Sequence, residues 1–236
     1  MFGSDWLFFA PVGRMKDGGK KTPIPIGSAF LRRGNSLTIR KWFFLFWTTL
    51  AIGTAAGMIT GAVLKWTMDE FALLDPSLGV YEWLFLLFGV GTISVLSQMG
   101  FFAYLTVRYI ALGFVRGKVL YWDILQVVFV VVTLFDLVYL RYVNFAEPGE
   151  PLAGYFVLPA FVLAVSVAVS YVKVKMTNRS AFVPTLFFMS TVTVLESVPA
   201  LKLNDTGYTI VMIVPLLVCN AWQILMLHRI LPSKND

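Results

Sequence analysis

Long apolar runs without charge constrain this chain more than any other feature. Residues 42–64 carry no charged side chain over 23 positions, and residues 83–107 carry none over 25. The hydrocarbon core of a bilayer takes about 20 apolar residues in helical form, so either run can span it. A further run, residues 122–140, is apolar except for Asp123 and Asp136. The remaining uncharged runs are residues 152–172, 181–195 and 208–227.

These six runs predict an all-α fold: a polytopic membrane protein built as a bundle of six transmembrane helices. Barrel strands would instead alternate in hydrophobicity over about ten residues, and these runs do not alternate. Hydrophobic residues make up 58% of the chain and charged residues 14%, against about 45–50% and about 25% in soluble domains. The loops are too short to bury a core of their own, so residues 37–236 are predicted to form one transmembrane domain.

The basic residues predict how the helices are oriented. Sixteen of the 19 Lys and Arg residues lie before helix 1, in the second and fourth loops (Lys173 among the latter) or in the C-terminal tail. The opposite side keeps only Lys65, Arg141 and Lys202. Because basic residues accumulate in cytoplasmic loops, we predict a multi-pass protein of a bacterial cell membrane with both termini cytoplasmic. The net charge of +6 then reflects topology and contact with the lipid bilayer, and no nucleic-acid partner is expected.

Residues 1–36 differ from the rest, because they contain several prolines and glycines and no helical period. Disorder is the predicted state of this N-terminal extension. Arg32-Arg33 could be encoded as AGGAGG, a strong ribosome-binding sequence, with Leu37 as a TTG start codon. Translation would then begin at Leu37, and residues 1–36 would not belong to the protein. The codons for these three residues decide between the two interpretations.

Two acidic residues lie inside predicted helices. Asp136 falls within helix 3 and Glu196 in the outer half of helix 5. A carboxylate at the centre of a membrane helix costs about 2.5–3.5 kcal/mol on insertion scales, so both are expected to face the bundle. Arg141 is a candidate partner for Asp136. The two acids could form a proton or cation site, or could hydrogen-bond neighbouring hydroxyl groups while protonated.

Amide side chains and glycines supply two further candidate features. Gln98 in helix 2, with Asn220 and Gln223 in helix 6, predicts a polar set that forms interhelical hydrogen bonds or, alternatively, binds a substrate. Three glycines of helix 1 recur every four residues, which lets helix backbones approach closely. This face can pack inside the protein or against another membrane protein. Its members are Gly53, Gly57 and Gly61.

Signatures of an enzyme are missing from the sequence. It has one histidine, His228, and one cysteine, Cys219, which lies in an apolar run and is expected to be a small packing residue. A His/Cys metal site of the usual kind is therefore out of reach, and no nucleophile-elbow, zinc-protease or phosphate-loop motif occurs. We expect a protein that is not an enzyme and has no cofactor.

Several short blocks of the sequence are distinctive. They are SQMGFFAYLT (97–106), FDLVY (135–139), AFVP (181–184), VLE (194–196), VPAL (198–201), ND (204–205), PLL (215–217) and CNA (219–221). With these blocks the chain, from residue 40 to about residue 231, resembles the KbaA family of KinB-signalling pathway activation proteins from spore-forming bacteria.

The resemblance implies a positive regulator of a KinB-type sporulation sensor histidine kinase, which feeds phosphate into the phosphorelay. Its partner would be that sensor kinase in the same membrane, through direct or indirect contact. The resemblance brings no catalytic residue or cofactor with it. A small ion-coupled transporter or permease is the alternative function, and Asp136 and Glu196 are its best support.

Overall fold

The computed structural model describes residues 39–67, 79–114 and 119–230, so the predicted extension 1–36 lies outside the described residues. This part of the chain is all-helical, as predicted. Six of its helices are long and apolar enough to cross a membrane. The first four are α1 (Ile39–Thr67), α2 (Val80–Phe114), α3 (Val119–Phe145) and α4 (Val157–Met176), the last preceded by a 3-10 turn at Leu152–Phe156.

The fifth span, α5, is built from three pieces. It has a short α-helix at Phe182–Phe187, a π-helical turn at Phe188–Val192 and a second α-helix at Thr193–Leu201. A π-helical turn inserts an extra residue into the helix and so rotates the residues that follow it. The sixth span, α6, runs over Thr206–Ile230.

Helices α5 and α6 form the centre of the bundle. In each of them 61% of the most apolar window is buried, against 22–33% in the other four. Helices α1 and α2 pack against one side of α6, while α3 and α4 pack mainly against α5. The core between the two groups contains Phe101 and Phe188, whose ring centroids are 5.5 Å apart.

Polar contacts fix the ends of several helices. Asp205 caps α6 by accepting a hydrogen bond from the backbone N–H of Tyr208 at 2.8 Å, as acidic residues at helix N-caps commonly do. The turn before this cap contains Asn204 with φ of +49°, a conformation that Asn tolerates better than most residues. At the same end of the bundle Lys65 of α1 forms an ion pair with Glu82 of α2.

Candidate functional site

Polar side chains from three helices meet in the centre of the bundle. Asn220 of α6 donates from Nδ2 to Thr193 Oγ1 at 2.9 Å and to Glu196 Oε2 at 3.0 Å. Its Oδ1 accepts a hydrogen bond from Ser97 Oγ at 2.7 Å. Gln223 donates from Nε2 to the same Ser97 hydroxyl at 3.1 Å. We call these five residues the central polar cluster.

The spacing of these residues explains why they meet. Asn220 and Gln223 are three residues apart on α6, and Thr193 and Glu196 are three apart on α5, so each pair shares one helix face. Because all five side chains are buried, their hydrogen bonds are made away from solvent, where a lost partner is most costly. The central polar cluster therefore holds α2, α5 and α6 in one register.

Gly100 of α2 makes room for the carboxyl group of Glu196. A Cβ atom at position 100 would overlap Glu196 Oε1 and its carboxyl carbon, and would also crowd Val192. Glycine allows a close approach because it has no side chain. The position of Glu196 in the cluster therefore depends on a residue that supplies no polar group at all.

The hydrogen bonding of the central polar cluster is incomplete. Within the described ranges, Glu196 Oε1 and Gln223 Oε1 have no hydrogen-bond partner. Gln98, which the sequence groups with Asn220 and Gln223, makes no hydrogen bond to the cluster, because neither of its side-chain polar atoms has a partner there. Gln98 is nevertheless buried, with 4% of its surface exposed. The geometry can tie helices together and can hold a proton on Glu196.

The location of Asp136 corrects the sequence prediction. This residue lies on α3 but is exposed on the outside of the bundle, and among the described residues no hydrogen bond or ion pair is made to it. α3 turns Gln126, Val130 and Leu137 inwards. Successive residues are about 100° apart around a helix, so Asp136 points well away from its neighbour Leu137.

Neither predicted partner of Asp136 is in contact with it. Arg141 instead donates to Asn204 Oδ1 at 3.2 Å and lies over the ring of Tyr155, 6.0 Å from its centroid. Glu196 faces inwards and bonds Asn220. The expectation that both acids face the bundle therefore holds for Glu196, which is buried, and is wrong for Asp136, which is exposed.

The three glycines of α1 lie inside the protein. A Cβ at Gly53 would overlap Cys219 and Ser94, one at Gly57 would overlap Val90, and one at Gly61 would overlap Leu86. The ridge thus lets α1 approach α2 and α6 closely. Its surface is covered by this chain's own side chains, so contact with another membrane protein through these glycines does not fit the structure.

A second polar cluster, which the sequence reasoning missed, joins α2, α3 and α5. Tyr104 donates its hydroxyl proton to the Pro184 carbonyl at 3.3 Å and accepts from Gln126 Nε2 at 3.2 Å and Arg108 Nη1 at 3.4 Å. Asp123 interacts electrostatically with Arg108. Arg108 directly follows the uncharged run 83–107, so the charge pattern predicts a position in the second loop. Its spacing of four from Tyr104 is the signal that could have placed both residues on one helix face.

Lys173 was also assigned to a loop and is in fact buried in α4. Its Nζ donates to the backbone carbonyl of Ile224 in α6 at 2.6 Å, and its side chain has 0% exposure. The helix of 20 residues ends at Met176 and therefore includes Lys173, whereas the uncharged run in the sequence ends at residue 172.

In the described ranges, no group of three or more His, Cys, Asp or Glu side chains could hold a metal ion.

The fold and its buried polar clusters define an all-α protein with six apolar helices, a class compatible with multi-pass membrane proteins. A sequence model of KbaA, described as KinB-signalling pathway activation in sporulation, matches residues 53–230. The chain belongs to this family, which confirms the resemblance read from its sequence blocks. No solved structure matches the chain.

A relative from Bacillus subtilis (strain 168), named KinB-signaling pathway activation protein, is 44% identical over 186 residues. The aligned region covers 78% of this chain and 93% of the relative. Both polar clusters and the glycine ridge lie within the region that the family model matches.

Proposed function

We propose that this protein is a membrane-embedded activator of a KinB-type sensor histidine kinase, and that through this kinase it feeds the phosphorelay that starts sporulation. The observation that carries the proposal is the 44% identity, over 93% of its length, with a protein named for KinB-signaling pathway activation. The kinase supplies the phosphate chemistry in this proposal, and the activator is not an enzyme and uses no cofactor.

Insertion into the membrane is part of the proposal. Six helices with the length and hydropathy of membrane spans support it, as does the concentration of basic residues in alternate loops. Large apolar side chains on the outside of the bundle support it as well. Trp47 is 61% exposed, Phe88 73% and Met99 65%, which is costly in water and favourable in lipid.

The proposed mechanism is lateral contact with the kinase within the membrane. A partner shifts the equilibrium between an inactive and an active kinase only by its differential affinity for the two states. Contact between helices supplies such differential affinity when side chains match in only one arrangement of the kinase. The two polar clusters serve this mechanism by keeping the activator itself in one rigid arrangement.

Deletion of the gene tests the proposal. In a spore-forming host we expect the output of a phosphorelay-dependent reporter to fall when the chain is deleted, and to return when the chain is supplied from a plasmid. The same deletion in a strain without the kinase should have no further effect, because the two proteins act in one step. An equal fall in both strains, or none in either, would refute the proposal.

A small ion-coupled transporter is the second candidate. It is favoured by one observation, the buried carboxyl group of Glu196, whose Oε1 has no hydrogen-bond partner in the described part of the chain. Protonatable groups inside membrane bundles often mark proton or ion pathways. Proton-dependent uptake by vesicles that contain the purified protein would support the transporter. Loss of kinase signalling without any transport defect would support the activator.

A further inference from the structure

Helix α3 lies at the edge of the bundle and presents a continuous stripe of exposed side chains. Six of them follow one another at spacings of four, three, four, three and four residues, which places them along one side of the helix. We call this stripe the α3 seam. It consists of Leu125, Phe129, Val132, Asp136, Tyr139 and Val143, all exposed.

The spacing of the α3 seam is the one that a second helix can follow. Side chains at alternating intervals of three and four residues fit between those of a neighbouring helix that crosses at a small angle. Within the described part of the chain, the ring of Phe129 lies beside that of Phe187 of α5, with centroids 6.3 Å apart, and all six side chains of the α3 seam remain exposed.

Asp136 makes the α3 seam unlike a simple lipid-facing surface. It lies nine residues before the end of α3 at Phe145, which corresponds to about 14 Å along the helix axis. The 27-residue helix is about 40 Å long and the hydrocarbon core is about 30 Å thick. A centred α3 therefore holds Asp136 inside the hydrocarbon region.

The environment of Asp136 contrasts with that of the other membrane-depth carboxylate. Glu196 accepts a hydrogen bond from Asn220 and is surrounded by protein. Asp136 has no hydrogen-bond or ion-pair partner among the described residues and faces outwards. A carboxylate is costly to leave in lipid, and a basic group from outside the described bundle would offset that cost.

We propose that the α3 seam is the docking surface for a transmembrane helix of a partner protein that presents a basic side chain to Asp136. This inference rests on the proposed function, in which the partner is the sensor kinase. Opposite charges at equal depth fix the register of the two helices as well as attract them. A second copy of this chain is the poorer fit, because a symmetric contact would bring two Asp136 carboxylates together.

Cysteine crosslinking in the living host tests the docking surface. The native Cys219 is first replaced (Cys219→Ala), and one cysteine is then introduced in the α3 seam by Val132→Cys. The matched control is Val131→Cys, which lies about 100° away around the same helix and is equally apolar and 63% exposed. With single cysteines placed along the transmembrane helices of the kinase, we expect the Val132 variant to crosslink to it and the Val131 variant to fail.

Replacement of the carboxylate tests the charge. Asp136→Leu should leave abundance unchanged or higher, because it removes a costly group, while crosslinking and reporter output fall at least about tenfold. Asp136→Asn keeps the shape and should show the same loss in weaker form. In the Asp136→Lys variant, exchanging the matching basic residue of the kinase helix for aspartate should restore output.

The outcomes separate this inference from the proposed function. Output that depends on the chain and the kinase but survives Asp136→Leu at normal abundance overturns the docking surface alone. A seam cysteine that crosslinks to a second copy of this chain instead of the kinase overturns it as well. Output that never depends on the chain overturns the proposed function, whatever the α3 seam contacts.

Discussion

At the residue scale, the central polar cluster depends on a glycine. Gly100 faces the carboxyl group of Glu196, and any Cβ there would occupy the same space. Glu196 in turn is one of the three hydrogen-bond partners of Asn220. A change at Gly100 therefore reaches Asn220 through Glu196, although Gly100 itself makes no polar side-chain contact.

Gly100→Ala is expected to destabilise the protein. Alanine stabilises a helix by about 1 kcal/mol relative to glycine, so any loss of stability must come from the clash between the new Cβ and Glu196. Overpacking of this kind typically costs about 1–3 kcal/mol. Gly113→Ala on the same helix is the control, because nothing lies within 4 Å of its added Cβ. Thermal unfolding of the purified proteins in detergent should show a lower midpoint for Gly100→Ala only, and equal midpoints would contradict the packing described here.

Glu196→Gln separates a structural carboxyl group from one that carries protons. Glutamine keeps an oxygen that can accept the Asn220 hydrogen bond but cannot ionise. If the role is structural, abundance and reporter output should stay close to those of the native protein. Glu196→Leu should lower the stability by about 1–3 kcal/mol, because it leaves Asn220 with a lost partner. An abundant Glu196→Gln protein without output would instead indicate proton handling and favour the transporter.

At the element scale, residue pattern predicted the helices but not which faces they bury. The apolar runs predicted all six long helices, because length and hydropathy are enough to identify a candidate membrane span. The facing of Asp136 could not be derived in the same way, since α3 is apolar on nearly every side and has no distinct buried stripe in its sequence. The π-helical turn of α5 was also unpredictable, because nothing in residues 188–192 distinguishes it from an α-helix.

Gly57→Leu follows from the internal position of the α1 ridge. Leucine at this position would collide with Val90 and crowd Pro215, so α1 could no longer approach α2 and α6. We expect lower abundance in the membrane, because overpacking costs about 1–3 kcal/mol. Ala55→Leu is the matched control, since Ala55 is an exposed residue of the same helix. Quantitative immunoblots of membrane fractions measure both, and a Gly57→Leu protein at normal abundance with no output would restore α1 as a partner-contact face.

At the scale of the whole molecule, the packing of the helices against one another decides which polar side chains meet and which charged side chains are buried. The sequence-predicted amides Asn220 and Gln223 do share a cluster, because residues three apart on one helix must share a face. That Glu196 belongs to the same cluster depends on how α5 packs against α6, and the residue pattern within one helix does not determine that packing. For Arg108 and Lys173 the charge pattern is a poor guide to position, because it predicts loop positions although both side chains are buried.

The orientation predicted for the bundle in a membrane can be tested directly. Removing the buried Arg108 and Lys173 from the sixteen basic residues of one side leaves fourteen, and the three on the other include Lys65, which is neutralised by its ion pair with Glu82. The charge bias therefore survives, and it still predicts that the basic loops are cytoplasmic. Reporter fusions in the second loop (115–118) and at the C-terminus should read cytoplasmic, while fusions near Glu150 should read external. An external C-terminus would contradict this orientation, and an external C-terminus with a cytoplasmic N-terminus would contradict the six spans as well, because six spans require both termini on the same side.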